Sequence, residues 1–273
     1  MDGTLPKRTI IRRGQSNVRP ALLAFLSARY GRPVAAEDVM AYAAAVAAHP
    51  AHTARFQPDL VQPGLRVPLT VDAGLFDEAI RLGRRVVWLY TFGERFASAE
   101  EGRPKGAPRL PKDRAPRIPA KGAIPDAPGA MPEAIDYDPS RERLLAGEGY
   151  IERVPPAVWH YEVSGKHVLR QWFSYRQKDR SCPIMGDRRP PSKLGEVQPE
   201  HWLAEYTTDL IDLLSVLGLL VDLEPDQARL LDRVCSGPLI PVSELHAQNA
   251  LETPPTRPRK TALRAQRELF DGG

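Results

Sequence analysis

The sequence predicts a helix-rich α+β fold, in which an N-terminal helical part is followed by a small β-meander packed with helices. Apolar residues recur at helical spacing in several parts of the chain. Three short strand-like runs lie between residues 134 and 154, where proline and glycine separate them. The 28 prolines indicate long irregular connections between these elements.

The N-terminal helices are predicted from apolar periodicity and from the residues at their ends. A helix begins near Arg19 and ends at Gly31, and an alanine-rich helix follows over residues 38–48. Asp72 is suited to cap a further helix, which continues to residues 92–96. These segments predict a helical bundle in the first third of the chain.

The composition changes sharply between Gly102 and Pro132. Eight prolines there exclude a regular helix or a central strand, and seven basic residues make the segment positively charged. We interpret it as a linker or a long crossing loop.

The elements predicted after this segment are strands over residues 134–137, 143–146 and 150–154, a helical turn at 154–156, and helices over 166–176, 199–221 and from Glu224-Pro225 to Gly237. The chain is therefore divided into a basic lead-in (1–18), a helical coupler-like part (19–100), the Pro-rich basic crossing (101–133), an α+β recognition-like part (134–246) and a polar tail (247–273) that we expect to be mobile.

Charge is distributed unevenly, although the formal net charge is only +4. Eight basic and two acidic residues lie between Lys166 and Lys193, whereas two basic and eight acidic residues lie between Pro199 and Arg233. This arrangement predicts a basic face for DNA phosphates and acidic helices that point away from it.

Sequence choice on DNA requires side chains that reach base edges, such as arginine on guanine or glutamine on adenine. We predict that DNA is bound by a set of polar and basic residues around one aromatic-rich segment: Lys166, Arg170, Gln171, Tyr175, Arg176, Gln177, Lys178, Arg180, Arg188, Arg189 and Lys193. Of the aromatic residues that could stack on bases, helical spacing favours Trp172 and Phe173 as core residues, and Tyr175 is more open to a polar role.

Catalysis by this chain alone is not indicated. The six histidines form no metal-binding spacing, and the sequence has no nucleophile elbow, phosphate-binding loop, dinucleotide fingerprint or Asn/Asp-Pro-Pro-aromatic signature of methyl transfer. We predict no catalytic residue, no metal and no cofactor in this chain.

Successive blocks of the chain resemble the C-terminal specificity region of type ISP restriction–modification enzymes, in the form found in actinobacteria. The blocks are residues 38–42 (Asp-Val-Met-Ala-Tyr), 49–52 (His-Pro-Ala-His), 66–69 (Arg-Val-Pro-Leu), 75–79 (Leu-Phe-Asp-Glu-Ala), 82–85 (Leu-Gly-Arg-Arg), 154–159 (Val-Pro-Pro-Ala-Val-Trp), 161–165 (Tyr-Glu-Val-Ser-Gly) and the 206–220 helix. Their order and spacing cover residues 20–245.

The resemblance implies a target-recognition domain joined to a helical coupler, which selects double-stranded DNA for a methyltransferase and a nuclease that are not in this chain. It also implies a role in phage defence. S-adenosylmethionine would be bound only by a partner or a missing domain.

Two alternatives remain open. The chain could be a non-enzymatic protein that docks on a separate methyltransferase or restriction subunit through its acidic helices, without DNA affinity of its own. It could also be an enzyme fragment whose catalytic half lies in another chain. In each case we expect a cytoplasmic protein that spans no membrane, because the longest apolar run is interrupted by Asp212 and Asp222.

Overall fold

A computed structural model describes residues 16–61, 66–127, 129–177, 199 and 201–251 of the protein. Its helices are α1 (Pro20–Tyr30), α2 (Ala36–Ala47), α3 (Pro50–Arg55), α4 (Ala73–Tyr90), α5 (Pro156–Trp159), α6 (Val168–Ser174), α7 (Ala204–Ser236) and α8 (Val242–Ala247). Its strands are β1 (Ile135–Asp138), β2 (Arg143–Ala146), β3 (Gly149–Ile151), β4 (Glu162–Val163) and β5 (Lys166–His167). The predicted helix-rich α+β class is confirmed.

The end signals of the N-terminal helices act as the sequence predicts. Gly31 follows α1 in the left-handed conformation with φ of 68°, which a residue without Cβ adopts without strain. A side-chain oxygen of Asp72 accepts a hydrogen bond from the backbone N–H of Leu75 at 3.0 Å, so one exposed donor at the start of α4 is satisfied.

The closest helix pair is α2 with α4, and Gly83 is the residue that permits their approach. A Cβ at position 83 would lie 1.7 Å from the backbone oxygen of Ala41. The two helix backbones are therefore in direct contact at this point, and neither can move away without shifting a whole helix.

The β-meander is antiparallel with strand order β1-β2-β3, and its register pairs Ile135 with Ala146 and Leu144 with Ile151. These four side chains are buried on the same side of the sheet. The alternation along each strand directs that side toward the helices, as period-two patterning requires.

One prediction about the C-terminal helices was wrong: the chain forms a single helix, α7, that continues through Pro225. Proline in a helix interior costs about 3 kcal/mol, because it removes one backbone hydrogen bond and crowds the preceding turn. Buried contacts on both sides of Pro225, including those of Leu223 and Leu230, offset that cost. The helix also begins at Ala204, later than predicted.

The segment predicted as one helix over residues 166–176 is instead the strand β5 followed by the shorter helix α6. Ser164 and Gly165 have φ of 53° and 72°, and two successive residues with positive φ form a tight hairpin turn. That turn pairs Lys166 with Val163, so the helix begins two residues later.

Two hydrophobic clusters form the core, and α4 and α7 contribute to both. The first half of α4 and the last turns of α7 pack with α1 and α2, whereas the end of α4 and the first two thirds of α7 pack with the meander, α5 and α6. The predicted division at residues 101–133 remains a prediction.

The Pro-rich segment has the irregular backbone that its prolines predict, and it packs against the second of these clusters. Ile124 and Met131 are buried there, and residue 117 forms an isolated antiparallel bridge with residue 152. Leu110 lies against Gly218 of α7, where an added Cβ would be 2.7 Å from its Cδ1.

Candidate nucleic-acid interface

The candidate interface is the β4–β5 hairpin together with the exposed side of α6. The hairpin turn brings Lys166 to the surface at the start of β5, directly before the helix. On α6, Leu169 and Phe173 are buried, with 0% and 3% of their surfaces exposed, and these two side chains fix the helix on the protein.

His167 caps the start of α6. Its Nδ1 accepts a hydrogen bond from the backbone N–H of Arg170 at 3.3 Å, so the ring carries its proton on Nε2. Burial lowers the pKa of His167, and the positive charge of Arg170 lowers it further. The imidazole is therefore neutral at physiological pH, as the capping hydrogen bond requires.

An aromatic cluster anchors the other end of α6 to α7. Trp202 is 2% exposed, and its ring lies 6.3 Å from both Trp172 and Phe173 and 5.4 Å from Tyr206. Its Nε1 donates to the hydroxyl of Thr207 at 2.8 Å. These rings bury large apolar surface and fix the orientation of α6, and the buried rings of Phe173 and Trp202 are not accessible to bases.

Arg176 belongs to this anchor. Its guanidinium carbon lies 4.1 Å from the ring centre of Trp172 and 5.3 Å from that of Tyr206, and it donates to the backbone oxygen of Trp172 at 3.0 Å. It also lies 3.7 Å from a carboxylate oxygen of Asp209. Its charge is therefore largely used inside the protein.

The guanidinium of Arg170 also lies over a tryptophan ring, but it has no carboxylate partner among the described residues. Its guanidinium carbon lies 5.0 Å from the ring centre of Trp159, and it forms no ion pair within the described ranges. Trp159 is 4% exposed, stacked on Tyr137 at 5.4 Å and in edge contact with His167 at 4.6 Å. A buried ring therefore supports an exposed cation.

Gln171 and Tyr175 complete the exposed side of α6, one helical turn apart. The side-chain amide of Gln171 donates to the hydroxyl of Tyr175 at 2.8 Å, and Tyr175 is 64% exposed. With 100° per residue, positions 170, 171, 174 and 175 occupy an arc of about 140° on a single face.

The structure thus exposes Lys166 directly before α6, places Arg170, Gln171 and Tyr175 on the exposed side of the helix, and holds Arg176 in the anchor. Gln177 follows directly, half-buried and with an interaction partner of its own. The remaining predicted DNA-binding residues lie outside the described residues: Lys178, Arg180, Arg188, Arg189 and Lys193.

The acidic surface of α7 is largely neutralised by arginines, four of which come from other parts of the chain and were not indicated by the sequence of the helix. Five of its carboxylates form ion pairs: Asp209 with Arg176, Asp212 with Arg109, Asp222 with Arg114, Asp226 with Arg229 and Asp232 with Arg55. Two of these arginines, Arg109 and Arg114, come from the Pro-rich segment and fasten it to α7.

A second basic surface lies on α4. Arg81 and Arg85 are exposed, one helical turn apart, and border a groove of about 590 Å³ that also contains residues 226–233 of α7. Neither forms an ion pair with another described residue. From Asp209 to Asp226 the rise along α7 is about 26 Å, so this surface is remote from α6.

Within the described residues, no three His, Cys, Asp or Glu side chains are grouped so that they could hold a metal ion. The helices of that same part of the chain include none with both the length and the apolar character needed to cross a membrane.

The structure defines an α+β domain with an exposed polar and basic face supported by buried aromatic rings. The chain matches the family described as the type ISP C-terminal specificity domain over residues 4–213, and it belongs to that family. The predicted family is thereby confirmed. No curated protein matches the chain.

One solved structure similar to this chain is a cryo-EM structure of a DrdV–DNA complex. The two share 18% sequence identity with a TM-score of 0.47, and the match covers 77% of this chain and 19% of that chain. The present chain therefore spans about a fifth of the length of that protein.

Proposed function

We propose that this chain is a DNA target-recognition domain that binds double-stranded DNA in support of a methyltransferase or nuclease supplied elsewhere. Its membership of a specificity-domain family supports the class of function. The location of the site is supported by the exposed face of α6 beside the β4–β5 hairpin. Cationic and hydrogen-bonding side chains are exposed there and form no ion pairs with other described residues.

The face suits duplex DNA on physical grounds. A B-DNA major groove is about 12 Å wide and admits one α-helix. The seven residues of α6 extend over about 10 Å, which corresponds to roughly three base pairs. Lys166 lies beside the helix, where an ammonium group can contact phosphate while α6 faces the bases.

In this proposal the chain selects a site and performs no chemistry itself. S-adenosylmethionine would be bound by the methyltransferase, on another part of the enzyme or on a separate subunit. The domain would then act in the cytoplasm as part of phage defence. The ion pairs that neutralise five carboxylates of α7 argue against the alternative in which acidic helices dock a partner.

The first test is the salt dependence of duplex binding by fluorescence anisotropy. Each phosphate contact contributes about 0.9 to the slope of log K against log salt. Lys166→Ala should therefore lower the magnitude of that slope by about 0.9 and weaken binding to all duplexes by the same factor. Arg85→Ala is the matched control, because it removes one exposed, unpaired charge from the remote surface.

Equal effects of the two variants would show that only net charge matters and would contradict the proposed interface. Absence of duplex binding, combined with co-purification of a methyltransferase subunit, would favour a docking protein instead. Methylation that appears only when the chain is mixed with such a subunit and S-adenosylmethionine would favour the enzyme-fragment alternative.

A further inference from the structure

Two exposed side chains on α6 are each held in place by a neighbouring aromatic residue and keep hydrogen-bonding groups that no described residue occupies. Pre-organisation of this kind matters for base recognition, because a bidentate hydrogen bond requires both donor and acceptor positions to be fixed together. The two residues are Arg170 and Gln171, and a different aromatic side chain supports each of them.

Arg170 is oriented by the ring of Trp159. A guanidinium over an aromatic face is attracted by the electron density of the ring, and this attraction leaves its N–H groups available to hydrogen-bond acceptors. Trp159 is buried and also contacts the rings of Tyr137 and His167, which restrain its position. Guanine presents two acceptors, O6 and N7, at the spacing of two guanidinium N–H groups.

Gln171 is oriented by Tyr175. One amide N–H is bound to the tyrosine hydroxyl, in the amide orientation that this hydrogen-bond network assigns. The amide oxygen and the second N–H remain available. They match the N6–H donor and the N7 acceptor of adenine, which together form the usual glutamine contact in the major groove.

Arg176 contrasts with Arg170, because its guanidinium is bound to other groups of the protein. It also lies on a tryptophan, but its Nε is buried without a partner among the described residues, and its other nitrogens contact Trp172 and Asp209. The two arginines thus differ, since Arg170 is exposed and its guanidinium forms no ion pair among the described residues.

We propose that Arg170 reads guanine and Gln171 reads adenine, and that Tyr175 is a positioning residue that holds the glutamine amide. This assignment rests on the proposed function. The two residues are adjacent on α6, with an axial rise of about 1.5 Å, so the guanine and the adenine lie within one or two base pairs of each other.

The test is selection of preferred sites from a random duplex library by the full chain, followed by affinities for the selected site and for an unrelated duplex. Arg170→Lys keeps the charge but loses the planar pair of donors, and Gln171→Leu keeps the size but loses the amide. Each substitution should lower the affinity for the selected site by about 5- to 100-fold. Arg170→Lys should weaken the preference for guanine at one position, and Gln171→Leu the preference for adenine at another. Affinity for the unrelated duplex should not change.

Tyr175→Phe tests whether Tyr175 holds the amide of Gln171 in place. It should relax the same adenine position as Gln171→Leu, to a smaller degree, and add nothing when combined with Gln171→Leu. Tyr150→Phe is the matched control, because it removes the same hydroxyl from β3, outside the α6 face, and should leave both base preferences unchanged.

The possible outcomes distinguish a failure of the proposed function from a failure of the base assignment alone. If the library yields no preferred site, the proposed function fails and this assignment fails with it. If a site is selected but the variants retain its full specificity, the assignment alone is wrong. Equal weakening of selected and unrelated duplexes would also overturn it, because the two side chains would then contact the phosphate backbone.

Discussion

Gly83 shows how much one missing side chain can determine in this protein. It lies in the middle of α4, where alanine would normally be the better residue by about 1 kcal/mol. Here the space for a methyl group is occupied by the backbone oxygen of Ala41, 1.7 Å from the expected Cβ position. Helix propensity and packing therefore oppose each other at this residue, and packing should dominate.

Gly83→Ala is expected to lower the free energy of unfolding by about 3 kcal/mol or more, because α2 and α4 must separate to admit the methyl group. Urea denaturation followed by far-UV circular dichroism measures the change. Gly218→Ala is the matched control in another helix interior. The nearest atoms to its Cβ would be at the flexible end of the Leu110 side chain, 2.7 Å away, so the effect should remain within about 1 kcal/mol. Similar losses in both variants would contradict this account.

The exposed side of α6 could be predicted from the sequence because it depends on helical spacing among near neighbours. Arg170, Gln171 and Tyr175 are exposed there, and their contact with DNA stays a prediction. The anchoring of Arg176 could not be foreseen, because it depends on Tyr206 and Asp209, about thirty residues away in sequence. No local pattern encodes such a contact.

At the scale of single elements, helix ends were predictable where a residue acts alone, as Gly31 and Asp72 do. The continuation of α7 through Pro225 was not, because local preference opposes it and tertiary packing overrides that preference. Gln227 illustrates the packing involved. Its amide donates to the backbone oxygens of Ala44 and Ala45 and so satisfies carbonyls near the end of α2.

The junction of α2 and α3 contains two buried histidines, His49 and His52, which are 6% and 2% exposed. Burial lowers the pKa of both rings. His49 Nδ1 and His52 Nε2 have no hydrogen-bond partner among the described residues, so protonation there would gain nothing to offset the buried charge. Both rings are neutral in the folded protein.

The resulting pH dependence has a definite sign. An unfolded histidine takes up a proton near pH 6.5, whereas these folded histidines do so only at lower pH. Their contribution to the free energy of unfolding is thus complete above that pH and is lost as the pH falls toward 5. The double variant His49→Gln/His52→Gln should show a flatter decline than the wild type in urea titrations from pH 7 to pH 5.

His246→Gln is the control for this comparison, because His246 is exposed on α8. It should leave the decline unchanged. An equal flattening in this control would mean that general acid effects, and not the junction, determine the pH dependence.

At the scale of the whole molecule, α4 and α7 connect the two hydrophobic clusters. All four tryptophans belong to or pack against the cluster that contains the meander: Trp88, Trp159, Trp172 and Trp202. Gly83 and Ala41 lie on the side of α1 and α2, where the other cluster is formed. Tryptophan fluorescence therefore reports on one cluster, while Gly83→Ala disturbs the other.

We expect the two clusters to unfold together, because neither α4 nor α7 can lose half of its buried contacts and keep the rest. Gly83→Ala should therefore shift the urea midpoint of tryptophan fluorescence by the same amount as that of circular dichroism. A fluorescence midpoint that stays at the wild-type value while circular dichroism shifts would contradict this expectation. In that case residues 19–100 and 134–246 would be separable domains, as the change of composition at residues 101–133 predicts. The shared helices argue for the coupled result, since α4 and α7 each contribute to both hydrophobic clusters as one continuous hydrogen-bonded element.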